Sequence, residues 1–185
     1  MNRLILFYIL ITAPFLSGAQ EARDYTRLLE QTHELRITDS LLFQPEPASM
    51  TPLDSQTIKQ WFPQVLPANA ANKFKNRSFA LAGKMTGNPQ FDLLILCEEK
   101  RKSDSSGTQV VYLVSVKKTG EYIASIKAAV GGSKKKTAYN ISSWLYRDLK
   151  IVQDSRIQID DRSYNDMVYY KINNGGRFVS YPRFE

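Results

Sequence analysis

The chain has 185 residues, one cysteine and a formal net charge of +7 at pH 7. This length suits one domain and excludes two domains of ordinary size. A single cysteine excludes an internal disulfide, so stability must come from a hydrophobic core, which a chain of this length can supply. The positive charge indicates attraction to anionic lipid headgroups, acidic glycans or nucleic acid, without choosing among them.

The N-terminal 19 residues predict a cleaved export signal. Arg3 supplies the positive charge, Leu4 to Leu16 form an apolar run, and Ser17 to Ala19 are the small residues that a signal peptidase reads. The run is shorter than the roughly 20 apolar residues that a membrane-spanning helix needs. We therefore expect cleavage between Ala19 and Gln20, a secreted or periplasmic protein, and no transmembrane segment in the mature chain. An uncleaved anchor is the alternative.

Residues 20–66 predict a helical segment with a proline-rich connection. Tyr25, Leu28 and Leu29 begin an apolar repeat of helical spacing that extends over Glu21 to Ile37. A second, shorter helix is predicted to begin at a Thr51 cap and to end before Pro63. We expect the first helix to pack on the main domain.

Residues 67–185 predict one antiparallel β domain. β-branched and aromatic residues alternate with turn signals, which indicates about eight short strands in a meander. The fold class is therefore mainly β (α+β), with two N-terminal helices followed by a curved sheet, a sandwich or a partly open barrel.

Three local patterns refine this β domain. Phe91 to Glu99 is an apolar run typical of a central strand that is buried on both faces. One late hairpin is predicted to turn at Asp154-Ser155 and another within "NNGG". The turns that contain Gly120 and Gly176 share a residue pattern, which indicates either a duplicated unit or, as we favour, common turn chemistry.

The stretch "GGSKKKTAYN", residues 131–140, has the composition of a phosphate-binding loop but lacks its context. A P-loop needs glycines five residues apart before the lysine and a helix directly after it. Here the glycines are adjacent and a strand is predicted to follow. We therefore predict no nucleotide site and no cofactor.

Two basic clusters are the candidate binding residues for an anionic partner. They are Lys100, Arg101 and Lys102, and Lys134, Lys135 and Lys136. Solvated loop charges are the alternative interpretation of both clusters. Base stacking on the many tyrosines is a weaker hypothesis, because strands carry aromatic residues for packing, and the sequence therefore disfavours nucleic acid as a partner.

Candidate catalytic and metal-binding residues are sparse. His33 is the only histidine, so a histidine-based zinc site is excluded. Cys97 is expected to be a buried core residue, because it lies inside the apolar run. Glu98 and Glu99 point to opposite faces of a strand, and Asp92 is expected at a solvated strand end. We predict no catalytic residues and no metal ligands.

The sequence thus favours an exported, non-enzymatic β protein that binds a macromolecular partner through a surface or groove. One alternative is a hydrolase of an envelope or extracellular polymer that uses paired carboxylates. The other is a binder of anionic surfaces or glycans through the lysine clusters. An anionic polymer, a membrane surface and another envelope protein are the partners that these hypotheses leave open.

Overall fold

The structure, a computed structural model, describes residues 23–45, 50–66, 74–103, 106–134 and 136–181, without the side chains at 102, 103, 106 and 134. The predicted export signal lies outside these residues. Within them, ten strands form one antiparallel sheet that does not close, and two helices accompany it. The mainly β fold class is confirmed, with more strands than the eight expected. No helix in these ranges has the length and hydrophobicity to cross a membrane.

The helices are α1 (residues 23–30) and α2 (Ser55–Trp61). The strands are β1 (Ser40–Phe43), β2 (Thr51–Leu53), β3 (Arg77–Met85), β4 (Phe91–Ser103), β5 (Ser106–Lys117), β6 (Tyr122–Lys134), β7 (Thr137–Tyr146), β8 (Lys150–Ile159), β9 (Arg162–Ile172) and β10 (Phe178–Tyr181).

Hydrogen bonding runs through β2 to β10 in chain order, and β1 pairs with β7 outside that path. The sheet divides at the β6–β7 hairpin. Val130–Lys134 of β6 pairs with Thr137–Ile141 of β7, but the rest of β6 leaves β7, and β1 pairs with Ser143–Tyr146 instead. We call β2 to β6 the covered half and β1 with β7 to β10 the open half.

The two halves share one hydrophobic core. Leu93 and Ile95 of β4 and Leu113 of β5 belong to the same buried cluster as Leu145 of β7 and Ile151 of β8. These side chains come from strands far apart in the order of the sheet, so the sheet folds back and its two halves face each other. Burial of large aliphatic side chains at this depth contributes about 1.5–3 kcal/mol each.

The opposite face of the covered half packs under the helices. Tyr25 of α1 and Ile58 of α2 form a second buried cluster with Leu94 and Leu96 of β4 and Val114 of β5. Both helices therefore lie on the same half of the sheet, which is why we call that half covered.

Strand β4 is buried on both faces, as its apolar run predicts. Leu93, Ile95 and Cys97 face the shared core, whereas Leu94 and Leu96 face the helices. Cys97 is buried, and this desolvation raises the pKa of its thiol to about 12. A thiol in that state is not nucleophilic at neutral pH, so Cys97 is a packing residue.

The first helix is shorter than its periodicity predicts. It ends at residue 30 and the chain becomes extended, with Leu35 N–H donating to the Lys84 carbonyl and Lys84 N–H donating to the His33 carbonyl. Leu35 also covers Gly83, where an added Cβ would lie 2.4 Å from a Leu35 methyl carbon. Pairing with β3 therefore takes precedence over helix propensity beyond residue 30.

The second helix begins three residues later than predicted. Thr51 lies in β2, and Asp54 is the N-cap, because its carboxylate accepts hydrogen bonds of 2.8 Å from the N–H groups of Gln56 and Thr57. These donors stabilise the charged carboxylate and hold its pKa below the ordinary value.

The hairpin predicted at Asp154-Ser155 is wrong. Both residues lie within β8, and the turns fall at residues 147–149 and at Asp160-Asp161. Leu149 and Asp160 adopt positive φ there without being glycine. Since turn prediction relies on glycine at such positions, these two turns have a weak sequence signal.

The Gly131–Asn140 stretch is part of two paired strands. Gly132 has φ +95°, and an added Cβ would lie 2.2 Å from the Gly107 carbonyl oxygen. Strand β7 follows the lysines, as expected. Gly132 therefore allows close approach of β5 to β6, and the glycines lie within a strand and not before a helix.

Candidate binding surface and basic groove

The open half carries a continuous row of apolar side chains on its outer face. Cross-strand pairing places Leu42 opposite Trp144, Trp144 opposite Val152, Val152 opposite Tyr169, and Tyr169 opposite Tyr181. Directly paired residues project to the same face of a sheet. These five residues, one from each strand of the open half, are called the outer row.

The outer row belongs to neither hydrophobic core. Leu42 is 41% exposed and the other four side chains are half-buried. Residues adjacent to them along the strands, such as Leu145 and Ile151, point the other way into the shared core. Both described helices lie on the covered half, so neither helix packs over the row.

Lysines and a depression border the row on one side. Lys150 of β8 pairs directly with Lys171 of β9, and Lys171 pairs with Val179 of β10. These residues and Tyr181 line a depression of about 670 Å³. Lys150 forms an ion pair of 2.7 Å with Asp148, which raises the pKa of Lys150. No ion pair of Lys171 occurs among the described residues.

The covered half carries a second concave feature, the basic groove, of about 520 Å³. Its charged lining residues are Arg77, Glu98, Lys100 and Lys127, and Tyr112 lies among them. Arg77 Nη1 donates to Glu98 Oε1 at 2.5 Å, and Tyr112 Oη donates to Glu98 Oε2 at 2.9 Å. Burial and the adjacent Glu98 charge raise the pKa of Tyr112, so it remains a neutral hydrogen-bond donor.

A matching buried arrangement lies at the other end of β4. Asp92 is 1% exposed and accepts hydrogen bonds from Tyr25 Oη at 2.9 Å and from Lys118 Nζ at 2.5 Å. Our expectation of a solvated Asp92 is therefore wrong, because α1 brings Tyr25 over the strand end. Burial and then the Asp92 charge raise the pKa of Tyr25.

The two buried carboxylates do not form a catalytic pair. Asp92 and Glu98 lie on the same face of β4, but six residues of strand separate their backbones by about 20 Å. Glycosidases need carboxylates about 5 to 10 Å apart. Each of these two also has its own tyrosine and cation, an arrangement that stabilises the fold.

The predicted basic clusters have different surroundings. Lys100 is half-buried in the basic groove, whereas Arg101 is exposed and pairs with Glu99 at 2.7 Å. Lys136 is exposed and pairs with Asp160 at 3.1 Å. The side chains of Lys102 and Lys134 and all of Lys135 lie outside the described residues.

Metal binding finds no support in the described part of the chain, where no cluster of three His, Cys, Asp or Glu side chains occurs. His33 lies in the extended segment after α1, with its carbonyl bonded to β3.

The outer row was missed by sequence analysis because its members are scattered. Leu42 and Tyr181 are separated by most of the chain, and each lies in a strand whose neighbours also include aromatic residues. The row exists only through strand register, which local sequence patterns do not specify across five strands.

No family model, curated protein or solved structure matches the chain. The geometry of the outer row and of the basic groove therefore carries the functional argument.

Proposed function

We propose that this chain is an exported, non-enzymatic binding protein whose outer row is the docking surface for a macromolecular partner. The observation that supports this proposal is the contrast between the two outer faces of one sheet. The helices cover the apolar outer face of the covered half, whereas neither of the two described helices packs over the five aligned apolar side chains on the open half.

This contrast is informative because leaving apolar surface in water costs stability. The exposed part of each side chain in the row forgoes burial that would stabilise the fold by about 25 cal/mol per Å². Single exposed apolar residues are common on protein surfaces, but contiguous ones mark interaction sites. The Trp and Tyr members have an apolar ring and a polar edge, a combination enriched at binding surfaces.

Tyrosine nitration tests this proposal. Tyr169 and Tyr181 should react with tetranitromethane in the purified protein and should be protected in intact cells that produce it. Tyr164 is the control, because it lies on β9, points to the other face and is 50% exposed. Mass spectrometry of tryptic peptides gives the readout, and equal nitration of Tyr169 in cells and in solution would overturn the proposal.

A second candidate function is the binding of a small anionic ligand in the basic groove. Arg77 is neutralised by Glu98, but Lys100 and Lys127 make no ion pair within the described residues, which leaves excess positive charge along the groove. Its volume lies within the range of small-molecule sites, about 300–1,000 Å³. Lys100 also belongs to the first predicted basic cluster.

A further inference from the structure

We propose that the partner of the outer row is an extended acidic polysaccharide, whose sugar rings stack on Trp144, Tyr169 and Tyr181. This inference rests on the proposed function, since it names the partner of the same surface. Four features of the open half support it: the spacing of the row, its width, its polar borders and the unbalanced charge of Lys171.

Spacing is the first feature. Neighbouring strands lie about 4.8 Å apart, so the five residues of the row span about 19 Å in a direction across the strands. A pyranose ring in an extended, β-linked chain advances by a similar length. If the polymer lies across the strands, each successive sugar ring therefore lies over the next strand of the sheet.

Width is the second feature, and it disfavours a globular protein partner. The next residues of the same face along each strand lie about 7 Å away and are mixed in character. Tyr146, Met167 and Val179 are apolar and exposed, whereas Asp154, Lys150 and Lys171 are charged, so the continuous apolar strip is narrow. A stable protein interface needs roughly 800 Å² on each partner, and a narrow strip of this kind suits a linear polymer better.

Polar borders are the third feature. Ser142 and Asp154 are paired across β7 and β8 on one side of the row, and Lys150 and Lys171 are paired across β8 and β9 on the other. A sugar ring has an apolar C–H face and hydroxyl groups around its edge. A ring stacked on the aromatic row would place its hydroxyls beside these donors and acceptors, as two-sided recognition requires.

The lysines are the fourth feature, and they select an acidic sugar. Like charges directly opposite each other across two strands destabilise a sheet. Asp148 balances Lys150, but no described acid pairs with Lys171. A uronate carboxylate at this border would balance the Lys171 charge and accept its hydrogen bonds.

Affinity electrophoresis at 0.15 M salt tests the inference. The probes are mannuronate-rich alginate, its uncharged ester and vesicles containing phosphatidylglycerol. Tyr169→Ala should weaken retardation by alginate about tenfold, the usual order of effect for loss of one stacking ring. Tyr164→Ala changes the same residue type on the same strand but the opposite face, and should leave retardation unchanged.

A separate variant tests the role of Lys171 in the same experiment. Lys171→Gln should weaken binding to alginate several-fold and leave any binding to the ester unchanged. Equal effects of Tyr169→Ala and Tyr164→Ala would overturn the inference, because only general charge attraction would then remain. Retention on vesicles that depends on Tyr169, without retention by alginate, would overturn it in favour of a membrane surface.

Failure of this inference differs from failure of the proposed function. If alginate does not bind but Tyr169 is protected from nitration in cells, the docking surface stands and the polysaccharide is wrong. If Tyr169 is also unprotected, both proposals fail.

Discussion

The two halves of the sheet solve the same packing problem in different ways. Each has one face in the shared core and a second face with apolar residues. In the covered half, α1 and α2 remove that second face from water, and β4 becomes one of the most buried segments of the chain. In the open half, neither described helix packs over Leu42 and its partners across the strands. The difference teaches that the same sheet buries an apolar outer face in one half and leaves one partly in water in the other.

The ion pairs of the two halves also differ in their burial. Ion pairs in the covered half include the buried carboxylates Asp92 and Glu98, each bonded to a tyrosine and a cation. Ion pairs in the open half, such as Arg156–Asp154, are largely exposed to solvent. Buried pairs of this kind are costly to break, whereas exposed pairs contribute little.

The largest expected effect comes from breaking a buried pair. Arg77→Met should lower the free energy of unfolding by about 3 kcal/mol, because it leaves Glu98 charged and buried without its cation. Arg156→Met in the open half is the control and should cost less than about 0.5 kcal/mol. Urea titration followed by fluorescence measures both changes.

A double variant sharpens this comparison. Arg77→Met combined with Glu98→Leu should recover most of the loss, since no charge is then left unpaired in the core. A double variant as unstable as Arg77→Met alone would show that packing, and not charge pairing, determines the stability of this site.

Alkaline pH should destabilise the protein through three buried groups of the covered half. Burial raises the pKa of Cys97 to about 12, and also raises the pKa of Tyr25 and Tyr112. The folded state keeps protons that the unfolded state loses above the ordinary values of 9.0 for cysteine and 10.0 for tyrosine. Stability is therefore full below about pH 9, and each further pH unit above a group's ordinary pKa costs about 1.4 kcal/mol for that group.

Denaturant titrations at pH 7, 9 and 10.5 measure this loss. Tyr112→Phe removes one titrating group and should flatten the decline above pH 10. Tyr164→Phe, on the exposed part of β9, should leave the decline unchanged. A stability that does not fall between pH 9 and 10.5 would contradict the burial of these hydroxyl and thiol groups.

Sequence patterns predicted the covered half better than the open half. The continuous apolar run from Leu93 to Cys97 identified β4, because a strand buried on both faces is apolar throughout. In the open half, the turns at Leu149 and Asp160 had no glycine signal, and the very short strand β1 carried too few residues for a period. Asp92 was misplaced because only tertiary structure brings Tyr25 and Lys118 to it.

The site was less predictable than the fold. Lys100 was identified from the sequence as a binding candidate, and it does line the basic groove. The outer row needed the register of four strand pairs, which depends on interactions between segments distant in the chain. The sequence around Trp144 and around Tyr169 is typical of ordinary strands. Only the pairing of β7, β8 and β9 places the two side chains in one row.

One pair of matched substitutions tests the central claim that the outer row is uncovered in the folded protein. Leu94→Ala and Leu42→Ala remove the same atoms from the two outer faces, and urea titration gives the free energy of unfolding of each variant. We expect Leu94→Ala to cost about 3–4 kcal/mol, because Leu94 is fully buried under the helices. Leu42→Ala should cost less than about 1 kcal/mol. Equal losses from the two substitutions would show that the row is covered, and would contradict the account.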